Sequence, residues 1–116
     1  MAKNIPYFRG VFMRDSLPSS INKCECGVVN LDSSDGDGTH WVAYYRCDNN
    51  RIYFDSYGLD PPNELKTYLG GNIFTQTYQL QNANDVICGH LCVKVLKELA
   101  NGKDFKDIIH SLWVSN

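Results

Sequence analysis

The pattern of apolar and polar positions predicts strands in the first half of the chain. β-branched and aromatic residues are concentrated at 27–31, 40–47 and 51–55, and each run has the length and composition of a strand. A loop rich in Ser, Asp and Gly lies at 32–39, and residues 48–50 suit a hairpin turn because Asn tolerates a positive φ. The first half of the chain therefore predicts a small sheet that contains a hairpin.

The second half of the chain has mainly helical patterns. Residues 61–69 start at two prolines and stop before two glycines, which is typical of a short helix, and a further strand is expected at about 74–81. From residue 88 apolar side chains recur at helical spacing until Asn101-Gly102, and a last amphipathic helix begins near Phe105. Strands followed by a strongly apolar helix predict the α+β class.

Composition and charge are those of an ordinary folded domain. The 116 residues suffice for one core, so a single domain, 1–116, is expected. The net charge of −2 comes without a basic run, so composition gives no support for a nucleic-acid partner. No apolar stretch approaches the roughly 20 residues that span a bilayer, and the amino terminus lacks a signal-peptide core. The sequence therefore predicts an unsecreted, intracellular protein without a membrane partner.

The five cysteines are an odd number without the spacing of a disulfide scaffold, which fits a reducing compartment and at least one free thiol. Cys88 lies at the predicted start of the central helix, where unpaired N–H groups and the helix dipole favour a thiolate. Gly89 beside it would let a substrate backbone approach closely. The alternative is a buried core cysteine, since free Cys is often buried, and the local sequence does not decide between the two.

A metal-binding module is a second class of function. Soft ligands are present, but they form one Cys-x-Cys and one Cys-x₃-Cys on a helix rather than the paired Cys-x₂₋₄-Cys spacing of structural zinc sites. No metal and no other cofactor is therefore expected. The candidate ligands are Cys24, Cys26, Cys47, Cys88, His90 and Cys92.

A catalytic thiol needs a base, and the chain has three histidines. His40 lies where the Gly-rich loop enters a strand. At such a place the side chain can be exposed while the strand holds the backbone still. The alternative is an ordinary surface histidine. His90 is two positions from Cys88 and would point away from it, because facing helix pairs are three or four residues apart. His110 has no partner in view.

Asp55 ends the returning strand and could orient an imidazole. A turn at 49–50 would put Asp55 opposite Tyr44, on the same sheet face as His40. Tyr44 is four residues from His40, which is roughly 13 Å along a strand. The side chains of His40 and Asp55 would therefore meet only through a bulge, a bend or a different register. Asp55 could instead cap a turn.

These residues together carry a resemblance to a known family. Gly38-Thr39-His40-Trp41, Tyr53-Phe54-Asp55-Ser56, and Gln81 seven positions before Cys88-Gly89 resemble the adenain-like cysteine proteases. This group includes the adenovirus protease and the wider SUMO-protease superfamily. The similarity is greatest to short forms encoded by DNA viruses and virus-like transposons. The match runs from about residue 8 to the helix after Cys88, in the family's order His, Asp or Glu, Gln, Cys.

The resemblance implies a small mixed β-sheet packed against a central helix that carries the nucleophilic cysteine at its N-terminus. It implies a cysteine endopeptidase in which Cys88 is the nucleophile, His40 the general base, Asp55 its orienting acid and Gln81 an oxyanion donor. Chemistry alone would not separate Gln81 from the neighbouring glutamines at positions 76 and 79.

The resemblance also implies a substrate-binding role for Trp41, which would confine a glycine-containing segment of the substrate. A core tryptophan is the alternative for Trp41, since large aromatics dominate core burial.

A protein or polyprotein substrate follows from the resemblance, with capsid precursors of a virus or transposon preferred. This interpretation also implies that the protein acts in the host cytoplasm or nucleus, or that it is packaged in virions. The alternatives are a deubiquitinase or SUMO-type protease and an inactive peptidase-like binding domain. A ubiquitin-like partner needs about 800 Å² of docking surface on each side, which favours the first interpretation for a short chain. The chain is much shorter than adenain, so dependence on DNA or an activating peptide is not carried over.

Overall fold

The computed structural model describes residues 5–31, 40–76 and 85–115, with the backbone alone at 85–88 and 113–115. The predicted α+β class is confirmed. The predicted loop at 32–39 and the end of the strand predicted at 74–81 lie outside the described residues. The elements, in chain order, are β1 (Phe8–Met13), β2 (Cys24–Asn30), β3 (Trp41–Cys47), β4 (Asn50–Phe54), α1 (Asn63–Leu69), β5 (Phe74–Thr75), α2 (Asp85–Ala100) and α3 (Phe105–Ser115).

The five strands form one mixed sheet in the order β1-β2-β3-β4-β5. β1 is parallel to β2 and β5 is parallel to β4, whereas β2, β3 and β4 are antiparallel neighbours. The sequence pattern did not predict β1. Its pairing with β2 shifts register between Phe8 and Gly10, and a glycine in such a bulge interrupts the alternation by which a strand is identified.

Apolar side chains cover both faces of the sheet. α2 and α3 pack on one face around Val28, Ala43 and Phe54, and α1 packs on the other around Val42 and Tyr53. Among the described helices, none is long and apolar enough to cross a membrane. The helical spacing predicted for the last two helices is confirmed by the residues that they bury, namely Cys92, Val95, Leu96, Leu99, Phe105, Ile108, Ile109 and Leu112.

The hairpin between β3 and β4 differs in register from the prediction. Its turn consists of Asp48 and Asn49, with Asp48 at a φ of 55°, and Cys47 pairs with Asn50. Tyr44 therefore faces Tyr53, not Asp55. The turn lies one residue earlier than predicted, which moves every residue of β4 two positions along β3.

The cysteine argument was wrong about disulfides, because Cys24 and Cys47 are joined by one. The antiparallel register of β2 and β3 places these residues directly opposite each other, with their Cα atoms 4.0 Å apart. Sequence spacing does not reveal such a pair, because the two positions are 23 residues apart. Cys26 and Cys92 are not part of this disulfide and are buried in the core.

Glu25 is a buried carboxylate that ties four elements together. Its oxygens accept hydrogen bonds from Arg9 of β1, the backbone N–H of Asn22, Tyr44 of β3 and Tyr68 of α1. Burial alone would raise the pKa of Glu25, but these hydrogen bonds outweigh it and hold the pKa below its ordinary value. The charged form of Glu25 therefore stabilises the fold.

Glu25→Gln is expected to lower the free energy of unfolding by about 3 kcal/mol, because the amide NH₂ would face donors that need an acceptor. Glu64→Gln is the control. Its partner Arg14 lies 3.1 Å away in an exposed pair, so that change should cost less than about 1 kcal/mol. Urea denaturation measures both.

The stability that Glu25 contributes should be complete above about pH 4.3, the ordinary Glu value, and fall as pH drops through the lower folded pKa. The gap between wild type and Glu25→Gln should accordingly narrow in acid. An equal loss in the Glu64→Gln protein would contradict the role assigned to Glu25.

Candidate active site

His40 and Asp55 form a hydrogen-bonded pair at one end of the central strands. His40 directly precedes β3, and its carbonyl oxygen accepts the N–H of Leu31 at 2.9 Å, which extends the pairing with β2. The imidazole Nε2 lies 2.7 Å from Asp55 Oδ1. Because a carboxylate only accepts, Nε2 carries the proton and Nδ1 carries the lone pair that can accept one. The side chain of His40 is 14% exposed and that of Asp55 is 1% exposed.

The observed register explains how the two side chains meet. Phe54 pairs with Ala43, so the next residue, Asp55, comes level with Val42. The offset from His40 is then two residues, roughly 7 Å, instead of the predicted four. Both registers leave His40 and Asp55 on the same face, because they differ by an even number of residues. The predicted contact is present, and the different register is what allows it.

Asp55 also begins a four-residue turn that ends at Gly58. Its carbonyl accepts the N–H of Gly58 at 2.8 Å, and its Oδ1 accepts the N–H of Tyr57 at 2.8 Å. Asp is favoured at the first position of such a turn and Gly at the last, and Gly58 has a φ of 71°. The two interpretations of Asp55 are therefore compatible: one carboxylate oxygen caps the turn and also holds the imidazole.

Two further side chains contact this pair, and sequence reasoning missed both. The side-chain amide of buried Gln76 donates to the carbonyl of Asp55. The ring of Tyr57 stacks on the imidazole of His40, with centroids 4.4 Å apart and planes inclined by 16°. Gln76 had been considered only as a neighbour of Gln81. For Tyr57 the available signal was its place two residues after Asp55, inside the turn.

Cys88 lies in α2, but not at its first residue as predicted. The helix starts at Asp85, so Cys88 is the fourth helical residue and lies at the end of the first turn. Asp85, Val86 and Ile87 form the part of the first turn that precedes Cys88. The helix dipole still acts within this turn and favours an anion there. The side chain of Cys88 and the whole of Gln81 lie outside the described residues.

Trp41 and Gly89 connect α2 with the strand entrance. A Cβ built on Gly89 would lie 3.8 Å from Cδ1 of Trp41, an ordinary contact. The residue after Cys88 is thus next to the residue after His40. Trp41 is half-buried and packs against the core on the α2 side of the sheet. This packing supports the core interpretation of Trp41, and Cδ1 of its indole also faces Gly89 of α2.

The remaining cysteines are poor nucleophiles. Burial raises the pKa of the Cys26 thiol to about 12, and the neighbouring charge of Glu25 adds to the shift. Cys92 is fully buried, and the disulfide consumes the thiols of Cys24 and Cys47. Outside the disulfide, every cysteine whose side chain is described therefore lies in the core.

The structure also shows where the other two histidines and the candidate metal ligands lie. His90 and His110 are both exposed. Within 5–31, 40–76 and 85–115, one group of potential metal ligands comes together, Cys24, Cys47 and Asp48, and its two sulfurs are bonded to each other. The five candidate zinc ligands whose side chains are described are thus divided between a disulfide, the core and the surface.

Comparison with known proteins finds similarity to viral proteases. The chain is 26% identical over 119 aligned positions to a protein named Protease from bovine adenovirus 2, an alignment that covers 85% of this chain and 58% of that protein. A crystal structure of an ASFV protease superposes with a TM-score of 0.58 and 20% identity, covering 75% of this chain and 38% of that one. No protein-family model matches the chain.

The predicted resemblance to adenain-like proteases is confirmed by these similarities, and so is the type of fold. The chain spans little more than half of the curated relative that it matches and a smaller share of the solved structure.

Proposed function

We propose that this chain is the peptidase domain of a cysteine endopeptidase, with Cys88 as nucleophile, His40 as general base, Asp55 as the acid that orients it and Gln81 as oxyanion donor. The observation that carries the proposal is the 2.7 Å bond between His40 Nε2 and the buried carboxylate of Asp55. The similarity to an adenovirus protease supports the same activity.

The position of Cys88 supports its role by comparison with the other thiols. Cys26 and Cys92 are buried, and Cys24 and Cys47 are oxidised. Cys88 is in the first turn of α2, where the dipole lowers the free energy of a thiolate. Its neighbour Gly89 is next to Trp41, the residue after His40.

The reaction begins when a proton moves from the Cys88 thiol to Nδ1 of His40, giving a thiolate and an imidazolium. The sulfur attacks the carbonyl carbon, a C–S bond forms, and Gln81 donates to the oxyanion. The imidazolium gives its proton to the amine as the C–N bond breaks. A water molecule, deprotonated by His40, then hydrolyses the thioester and restores the thiol.

The substrates that we propose are capsid precursors of a virus or virus-like transposon, cut at glycine-containing sites inside the host cell or in the virion. Incubation of the protein with such precursors, with ubiquitin-like fusions and with a peptide library, followed by mass spectrometry, tests this. Cleavage of the ubiquitin-like fusions alone would favour the deubiquitinase or SUMO-protease alternative. Absence of any cleavage, with a folded protein, would favour an inactive binding domain.

Gln81→Ala is expected to lower kcat by about 10²–10³ with little change in KM, because an oxyanion donor acts mainly in the transition state. Gln79→Ala is the matched control and should be almost without effect. Steady-state kinetics on one peptide substrate measures both. Equal losses from the two substitutions would mean that the spacing of seven residues before Cys88 does not identify the donor.

Trp41→Ala is expected to relax the preference for glycine over alanine near the scissile bond and to lower turnover, because the indole edge beside Gly89 narrows the approach. Trp41→Phe keeps an aromatic ring on the core and should retain more of the preference. Peptide-library profiling of the three proteins provides the comparison. A wild-type profile without glycine preference would contradict the role, and a Trp41→Ala protein that only unfolds would favour the core interpretation.

A further inference from the structure

Tyr57 contacts both members of the His40–Asp55 pair, through two different groups. Its backbone N–H donates to Asp55 Oδ1 at 2.8 Å, the same oxygen that His40 Nε2 reaches at 2.7 Å. Its ring lies on the imidazole face, with centroids 4.4 Å apart and an interplanar angle of 16°. Carboxylate, imidazole and phenol ring thus form one closed arrangement built on the turn after β4.

The two contacts restrain different motions of the imidazole. The Nε2 hydrogen bond fixes which ring edge faces Asp55, but the torsion that rotates an imidazole about its Cβ–Cγ bond has a broad minimum. The ring can therefore tilt about that bond axis and still keep the hydrogen bond. A stacked ring at 4.4 Å opposes this tilt, because leaving the parallel orientation loses contact over the whole face.

The stacking also acts on charge. An aromatic face attracts a cation placed over it, so the phenol ring favours the imidazolium that forms when His40 takes the thiol proton. The restraint on ring tilt and the stabilisation of the imidazolium both act in the step in which the proton moves and the sulfur attacks. Neither acts on the binding of the rest of the substrate.

We propose that Tyr57 is a positioning residue for the peptidase reaction: its ring fixes the plane of the His40 imidazole and its backbone N–H fixes the carboxylate that orients it. The inference rests on the proposed function for its catalytic part. Its structural part, an imidazole held in one plane by the ring of Tyr57, does not depend on catalysis.

Kinetics of Tyr57→Leu test the catalytic part. We expect kcat to fall about 10- to 100-fold with KM nearly unchanged, the loss that follows from a misplaced reacting group. Tyr57→Phe keeps the stacked ring and should recover most of that loss. Tyr7→Leu, which removes an exposed tyrosine elsewhere, should leave kcat and KM as in wild type. A Tyr57→Leu protein that changes KM alone would overturn the proposal, because Tyr57 would then be a substrate contact.

Nuclear magnetic resonance of the His40 ring tests the structural part in a Cys88→Ala protein, which needs no activity. We expect the carbon-bound ring protons of His40 to be shifted upfield by the tyrosine ring and the nitrogen shifts to report protonation at Nε2. Tyr57→Leu should remove the upfield shift but keep protonation at Nε2, because the backbone N–H of residue 57 and the Asp55 carboxylate both remain. Tyr57→Phe should preserve both signals.

The two tests separate the possible failures. His40 ring protons at unshifted positions in the Cys88→Ala protein that retains Tyr57 would overturn the proposal even if Tyr57→Leu does not fold. So would a folded Tyr57→Leu protein with unchanged kcat and unchanged ring signals. The expected ring signals without any peptidase activity in the wild type would refute the proposed function while the role of Tyr57 in holding the imidazole stands.

Discussion

Cys88→Ala is expected to abolish peptide-bond cleavage, lowering kcat/KM by about 10⁶, because the covalent route is lost when the nucleophile is removed. The fold should remain, since the substitution takes one sulfur from the first turn of α2. Cys92→Ala is the matched control, four residues further along the same helix and fully buried. This substitution should lower the free energy of unfolding but leave kcat/KM unchanged at temperatures where the variant is folded. Steady-state kinetics and thermal unfolding of both variants provide the measurement.

Thiol labelling gives an independent check on the same residue. Iodoacetamide at mildly acidic pH should modify Cys88 first, because a thiolate reacts and a thiol does not. Cys26 should resist, since burial raises its pKa to about 12. Cys92 should resist because it is inaccessible. Mass mapping that finds either of these modified before Cys88 would refute the assignment of the nucleophile.

His40→Ala is the second large effect, with an expected loss of about 10³–10⁴ in kcat, the range of general acid–base catalysis. In the proposed mechanism, Nδ1 of His40 both takes the thiol proton and returns it to the leaving amine, so one substitution removes both transfers. His90→Ala is the nearest control, two residues from Cys88 and exposed, and His110→Ala is a more distant one. Kinetics at saturating substrate compares the three. A loss in His90→Ala equal to that of His40→Ala would contradict the choice of base.

Changes at Asp55 refine the prediction for His40. Asp55→Ala should reduce kcat less than His40→Ala, because an orienting acid is partly replaceable when other contacts hold the ring. Asp55→Asn should be milder still. The backbone N–H of Tyr57 needs an acceptor, so the amide oxygen of this variant should take the position of Oδ1. That oxygen also faces Nε2 of His40 and therefore keeps the proton on Nε2. An Asp55→Asn loss as large as that of His40→Ala would mean that the charge, and not the tautomer, is the main contribution of Asp55.

Local patterns predicted most of the secondary structure. The apolar spacing of α2, the prolines and glycines around α1 and the aromatic runs of β3 and β4 each depend on residues close in sequence. β1 was missed because its evidence is not local. It is a six-residue strand with a glycine bulge, and it joins the sheet through parallel pairing with β2.

The candidate site was predicted to a different degree for each residue. Alternation placed Asp55 and His40 on one sheet face. This placement holds in the observed register, because that register differs from the predicted one by an even number of residues. Their distance was wrong, because the turn at 48–49 sets the register and a one-residue change in the turn moves the strand by two. Gln76 and Tyr57 were missed, since neither a buried amide donor nor a stacked ring leaves a periodic pattern.

The sequence by itself predicted the class of fold, and alternation placed His40 and Asp55, two candidate groups, on one face of the sheet. These depend on side-chain chemistry and on periodicities of 2.0 and 3.6 residues, which are properties of the local chain. The tertiary structure alone decided the register of the hairpin, the bond between Cys24 and Cys47, the network on Glu25 and the ring over His40. Each of these depends on which distant backbone segments become neighbours. That choice is made by turn geometry and core packing together, and no single stretch of sequence contains it.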